Sequence, residues 1–270
     1  YAETNLDHNR ERVQDWLWKK DNSVAKYYQN VMGFDGWRFD YVLGYEPWVV
    51  KAWLDEVGGF SVVELWDGNA DVLKNYVEET GSRAFDFASF YKLEEGLDRY
   101  EDLNSLTGSQ LWQTYPDKSV TFTANHDTEK DSNEDNYIKR ENKMKAYAYI
   151  MTHPGYPCVF YLDYEDSEFQ DELQNLIAIH NSLATGETEV LYVDEDEYIM
   201  KRSGTGTNPG LILYISISNS TKRRAVSSNW NNITLMDYSG NSTYNPTSDE
   251  NGAVTIEAPA NGYSIWSITE

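Results

Sequence analysis

Between residues 33 and 183 the chain repeats one unit: a short apolar strand, a polar stop, then a helix. Strands read at 34–42, 60–67, 84–87, 118–124 and 157–161, where β-branched and aromatic residues cluster between Gly, Asn and Asp. Helical spacing of apolar positions reads at 47–57, 69–79, 90–100, 142–152 and 171–183. Another helical pattern precedes them over 10–32, carried by Val13, Trp16, Leu17, Val24, Tyr27, Tyr28 and Val31. Strands joined through helices pair in parallel, so residues 1–186 are expected to form a parallel sheet or part of a β/α barrel. Near Gly186 the pattern changes. Short strands at 198–202, 210–216, 233–237, 253–257 and 263–268 alternate with turns such as 203–210, which predicts a small antiparallel β-domain over 187–270.

Charged residues fall at the ends of these strands. In the run 33–42, Phe34, Trp37, Phe39 and Val42 suit a buried strand, while Arg38 and Asp40, two apart, leave the same face. A guanidinium beside a carboxylate favours its ionised form, which a carboxylate nucleophile requires. The same pair would also serve as an ion pair closing a strand. Glu64 and Asp127 stand at or near the ends of two further strands. In a β/α barrel the C-terminal strand ends form the active face, so the three acids would converge there. Arg38, Trp66, Asp67, Asn125 and His126 would lie around them. Three carboxylates with aromatic walls equip a glycosidase.

Composition narrows the alternatives. Forty-five acids against 22 bases give a net charge of −23, which argues against nucleic-acid binding. Nine Trp and 21 Tyr are too many for a disordered chain and offer stacking surfaces for flat ligands such as sugars. Cys158 is the single cysteine, so neither an internal disulfide nor a cysteine zinc cluster is available. No apolar run approaches the roughly 20 residues of a membrane span. No signal peptide opens the sequence, as in a processed or a cytosolic form.

Three segments resemble short motifs of the α-amylase family of glycoside hydrolases: 33–40 (GFDGWRFD), 63–67 (VELWD) and 122–127 (FTANHD). Gly44-Tyr45, the run 16–19 and the run 152–157 make the archaeal and plant-like members the most similar. The resemblance runs from about Asn5 to the end. It implies strands four to eight of a (β/α)8 TIM barrel followed by an antiparallel β-sandwich domain. It also implies retaining hydrolysis of α-1,4-glucosidic bonds in starch or a related α-glucan. Asp40 would be the nucleophile, Glu64 the general acid/base and Asp127 the third carboxylate. Arg38 would orient Asp40, His126 and Asn125 would contact the sugar, and Trp66 and Asp67 would lie on the leaving-group side. Leu43 stands where relatives commonly carry Lys or Arg, which removes a cationic contact to the sugar.

The resemblance begins after the family's first three barrel strands, so an N-terminal half of the enzyme is expected as a separate chain. A non-catalytic fragment that binds α-glucan on Trp66 and Trp37 is the alternative. The family's structural Ca²⁺ would be held here by the side chain of Asn5 and the carbonyl of Gly44, with Asp7 nearby. The remaining ligands would lie elsewhere. An extracellular, secreted protein with no membrane or nucleic-acid partner is expected. His8, His153 and His180 read as structural, and the acidic runs 164–168 and 194–197 as solvated faces. Asn219, Asn232 and Asn241 open glycosylation-type triplets.

Overall fold

The computed structural model describes residues 6–129 and 137–269. Helix α1 (Glu11–Gln14) runs into a π-helical turn (Asp15–Lys19), and α2 (Val24–Asn30) follows. The single helix expected over 10–32 is therefore broken. Asp21, Asn22 and Ser23 sit at the break, and such side chains compete with the helix for backbone hydrogen bonds. Next come β1 (Gly36–Phe39), α3 (Pro47–Val57), β2 (Phe60–Val63) and α4 (Ala70–Thr80). Then follow β3 (Arg83–Phe85), α5 (Phe87–Glu94), α6 (Leu111–Thr114), β4 (Ser119–Phe122) and α7 (Lys143–Thr152). Helix α5 starts earlier than the apolar spacing suggests because Asp86 caps it, accepting from Ser89 N at 2.9 Å. Strand β5 (Tyr156–Cys158) is short, and residues from Tyr161 onward form α8 (Tyr161–Glu165) before α9 (Gln170–Leu183).

The five strands pair in parallel in the order β1-β2-β3-β4-β5. Sequence order equal to spatial order is the winding of a β/α barrel, since a doubly wound sheet reverses direction at a switch point. The alternation of side chains then sorts the residues. Trp37 and Phe39 pack on Trp53 of α3, and Val63 and Ala84 share a core with Leu73, Tyr76 and Val77 of α4. The other parity, Arg38 and Asp40, Phe60, Val62 and Glu64, Arg83 and Phe85, and Val120 and Phe122, lines the concave face. At the N-terminal edge of that face Arg83 lies over the rings of Phe60 (4.3 Å) and Tyr156 (4.9 Å). Arg38, Asp40 and Glu64 take the opposite edge.

The β-domain adds β6 (Thr188–Val193), β7 (Glu197–Arg202), β8 (Leu211–Ser216), β9 (Lys222–Ser227), β10 (Leu235–Asp237), β11 (Ala253–Ala258) and β12 (Gly262–Ile268). A five-stranded sheet, β10-β12-β8-β7-β6, faces a two-stranded ribbon, β11-β9. One face of the large sheet carries Tyr198, Met200, Leu213, Ile215 and Ile265 into a core shared with α7 and α9. Its other face carries Ile199, Ile212, Tyr214 and Trp266 against Val226, Val254 and Ile256 of the ribbon. Strands β6 and β9 were not legible in the sequence pattern. β9 is cationic and exposes alternate residues (Arg223, Ala225, Ser227), so its apolar signal is one valine. The acidic run 194–197 is not wholly solvated either. Glu197 is buried and bound by Arg224 and the Tyr214 hydroxyl, so a carboxylate enters the sheet with its partners.

His153, at the end of α7, is fully buried between the barrel part and the β-domain, stacked on Tyr149. Its Nδ1 lies 2.8 Å from the Tyr149 carbonyl, which can only accept, and its Nε2 2.9 Å from the Tyr198 hydroxyl. One proton on Nδ1 satisfies both contacts, and burial pushes the pKa down to about 3. The folded pKa lies below the unfolded one, so the unfolded chain binds more protons as pH falls. Stability contributed by the neutral ring is complete above about pH 6.5 and is lost progressively toward pH 3, to the extent of about 4 kcal/mol. Urea unfolding of His153→Phe is expected to show a flatter dependence on pH between 7 and 4.5 than the wild-type chain; equal slopes would refute the assignment.

Candidate active site

The concave edge formed by the ends of β1 and β2 carries a compact charge cluster. Arg38 reaches two carboxylates at once: its Nη1 lies 2.5 Å from Asp40 Oδ1, and its Nη2 2.6 Å from Glu64 Oε1. The planar fork of a guanidinium can hold two acids in fixed relative positions, which an ammonium cannot. Glu64 is buried (6% exposed), whereas the Asp40 side chain is open to solvent. The Arg38 guanidinium beside Asp40 holds its carboxyl below the usual carboxylate range, with smaller help from Glu64 and the charge of His126. Asp40, Arg38 and Glu64 thus meet at one edge, and His126 lies near enough for its charge to act on Asp40. The second oxygen of Glu64, Oε2, accepts from Tyr41 N at 3.1 Å.

The loop after β4 supplies the other side. Asn125 Oδ1 accepts from Asp127 N (2.8 Å) and Thr128 N (2.9 Å), so this side chain builds the turn that displays its neighbours. His126 and Asp127 are both exposed, and His126 Nε2 lies 3.2 Å from Asp127 Oδ2. Trp66 is half-buried: its Nε1 donates to the Tyr91 hydroxyl at 2.8 Å and its ring lies 4.8 Å from Phe87. Asp67 caps the start of the following segment by accepting from Asn69 N at 2.8 Å. Trp37 does not face the site. It turns to the helix layer, 5.4 Å from Trp53, with its Nε1 donating to the Gly58 carbonyl at 2.7 Å. A sugar platform on Trp37 is therefore corrected, for the simple reason that odd positions of β1 point outward.

Two residues near the acids had no role in the sequence reading. Tyr45 donates its hydroxyl to the Asp40 carbonyl at 3.3 Å, and burial, aided by the charge of Asp40, pushes that phenol up to about 12. Tyr41 contributes through its backbone, which no side-chain pattern could reveal.

Asn5, expected as a calcium ligand, lies outside the described residues. Gly44 ends a 3₁₀ turn (Val42–Gly44) and lines a cavity of about 530 Å³ together with Asp7, His8 and Glu46. Asp7 already accepts from Arg10 Nε and Asn9 N. Calcium takes about six to eight oxygens. Among the described residues no group of three or more His, Cys, Asp or Glu is placed to hold a metal.

Residues 211–267 match the α-amylase C-terminal family. The cytoplasmic α-amylase of Escherichia coli is 28% identical over 265 residues, covering 87% of this chain and 53% of that protein. The α-amylase of Geobacillus stearothermophilus is 26% identical over 288 residues, covering 98% of this chain and 51% of that protein. The chain spans about half the length of these relatives. The crystal structure of the α-amylase from Geobacillus thermoleovorans complexed with acarbose superposes with a TM-score of 0.73 at 18% identity, over 91% of this chain and 62% of that one. Among the described residues no helix is long and apolar enough to cross a membrane. By motif, by the match over 211–267 and by fold, the chain is similar to the C-terminal portion of α-amylases, a parallel barrel part followed by an antiparallel β-domain.

Proposed function

We propose that the chain carries the catalytic carboxylates of a retaining hydrolase of α-1,4-glucans. The observation that carries this reading is the single guanidinium of Arg38 bound to both Asp40 and Glu64. Retaining glycosidases need two carboxyl groups about 5 to 5.5 Å apart, and acids sharing one fork are close in this way. Asp40, exposed and kept ionised, attacks the anomeric carbon from one face of the sugar. Glu64 gives its proton to the departing glycosidic oxygen, so the bond breaks as the ester to Asp40 forms. Water then attacks that ester, Glu64 takes back a proton, and Asp40 leaves as a carboxylate. Negative charge moves from Asp40 to Glu64 in the first step and returns in the second. Arg38 touches both and follows it without moving. Asp127, beside His126, would be the third acid and stabilise the oxocarbenium-like transition state.

The segment that completes the barrel comes from an N-terminal part of the same enzyme, which is consistent with the share of the relatives that this chain spans. Asn5 and Gly44 would contribute oxygens to a structural calcium ion that stiffens this edge; it supplies no chemical step. The sugar next to the scissile bond lies against Trp66 and Asp67. Arg38→Met in the intact protein tests the core of the proposal. It is expected to lower kcat on soluble starch by roughly a hundredfold, the scale of losing one preorganised charge partner. A circular-dichroism spectrum like that of the wild type would show that the fold persists. Hydrolysis within threefold of wild type would remove Arg38 from the mechanism.

A further inference from the structure

The pairing of β1 with β2, carried one residue beyond Phe39↔Val63, sets Asp40 opposite Glu64. In a regular parallel ladder Glu64 gives its N–H to the carbonyl before its partner and accepts from the N–H after it. The first bond is present: Glu64 N donates to the Phe39 carbonyl at 2.9 Å. The second is not made by Tyr41. Val42 N, one residue later, donates to the Glu64 carbonyl at 3.3 Å. Tyr41 is thus an extra residue in the edge strand, a bulge of the kind that redirects groups beside active sites. It lies in the left-handed region, φ 44° and ψ 56°, which costs a non-glycine residue about 1 to 2 kcal/mol. Its displaced N–H turns to the Glu64 side chain, 3.1 Å from Oε2. The turn is pinned beyond it, where Gly44 N donates to the Tyr41 carbonyl at 2.9 Å. The Tyr41 ring packs over Gly44, where an added Cβ would sit 3.3 Å from its Cδ1.

We infer that Tyr41 is the positioning residue of the general acid/base, its left-handed backbone holding Glu64 Oε2 while Arg38 holds Oε1. The inference rests on the reading of Glu64 as acid/base. Two donors fix the carboxyl plane, so the proton departs along one line toward the glycosidic oxygen. Strain at a non-glycine residue persists only where surrounding contacts enforce it, and here they enforce the direction of one N–H.

The test uses the intact protein and two substrates. A maltooligosaccharide has a leaving group that needs a proton, whereas a dinitrophenyl maltooligoside has one that departs without it. Tyr41→Val disfavours the left-handed conformation, and Tyr41→Asn tolerates it. Tyr41→Val is expected to lose about ten- to a hundredfold in kcat on the maltooligosaccharide, with KM changed less than about threefold. On the aryl substrate its loss in kcat/KM, which reports the bond-breaking step and not the later hydrolysis of the ester, is expected to be about threefold or less, and Tyr41→Asn is expected to recover most of the natural-substrate rate. Should Tyr41→Val fail to fold, Tyr41→Ala against Tyr41→Gly carries the same comparison. Equal losses on both substrates, or no loss on the maltooligosaccharide, would overturn the inference. Glu64→Gln separates the two levels. If it spares the maltooligosaccharide rate, the acid/base reading itself fails. If it removes that rate selectively while Tyr41→Val does not, only the role of Tyr41 fails.

Discussion

Asp40→Asn is expected to lower kcat on an α-1,4-glucan by about ten-thousandfold or more, because an amide cannot form the glycosyl ester on which the two-step route depends. Its binding of the glucan, followed by KM or by calorimetry with a maltooligosaccharide, should change little, since Asn keeps the size and most hydrogen bonds of Asp. Stability should also change little. The Asp40 side chain is 69% exposed, and an ion pair with that much solvent is worth little to the fold. This combination separates the catalytic reading from the ion pair that merely closes a strand. In the second case thermal unfolding would register the substitution and turnover would not. The wild-type pH profile carries the same signature. Arg38 depresses the pKa of Asp40, so the acid limb of kcat/KM should lie below the range of an ordinary carboxylate. Removing Arg38 should move that limb to higher pH.

Glu64→Gln should show a different pattern. On starch the loss should be about a thousandfold, the scale of general acid catalysis of a poor leaving group. On a dinitrophenyl maltooligoside the bond-breaking step should lose far less, because that leaving group departs as a stable anion. The fold should register this change. Arg38 Nη2 and Tyr41 N both donate to Glu64 in a buried setting, and a glutamine offers one oxygen where the carboxylate offers two. One donor loses its acceptor, at a cost of about 1 to 3 kcal/mol. Urea unfolding should show that cost, and stability equal to wild type would mean that the two donors are not both engaged in solution.

Much of this site was legible in the sequence because its parts follow from period. Arg38 and Asp40 share a face by being two apart, and Glu64 meets them because the neighbouring strand ends level with theirs. The same parity rule, applied to Trp37, would have excluded it from the pocket, since it lies on the opposite face from Arg38. What could not be read was conformation set by tertiary contacts. The left-handed turn at Tyr41 has no glycine to announce it. Asn125 reads as a sugar ligand in a motif but is committed to the turn that presents His126 and Asp127. The break at residues 20–23 lay in polar side chains within an otherwise helical apolar spacing. Strand β9 was hidden because long cationic side chains with aliphatic stems cover the sheet edge without an apolar pattern. Buried Glu197 was hidden in an acidic run because its partners, Arg224 and Tyr214, are distant in sequence.

The retaining route requires that Asp40 form a covalent bond to the sugar. Incubating the intact protein with a fluorinated α-glucosyl fluoride, which slows hydrolysis of the ester, and mapping the labelled peptide by mass spectrometry tests it directly. One added fluoroglucosyl group is expected on the peptide containing Asp40, and none in Asp40→Asn. An active protein that stays unlabelled, or a label on Glu64 or Asp127, would contradict it.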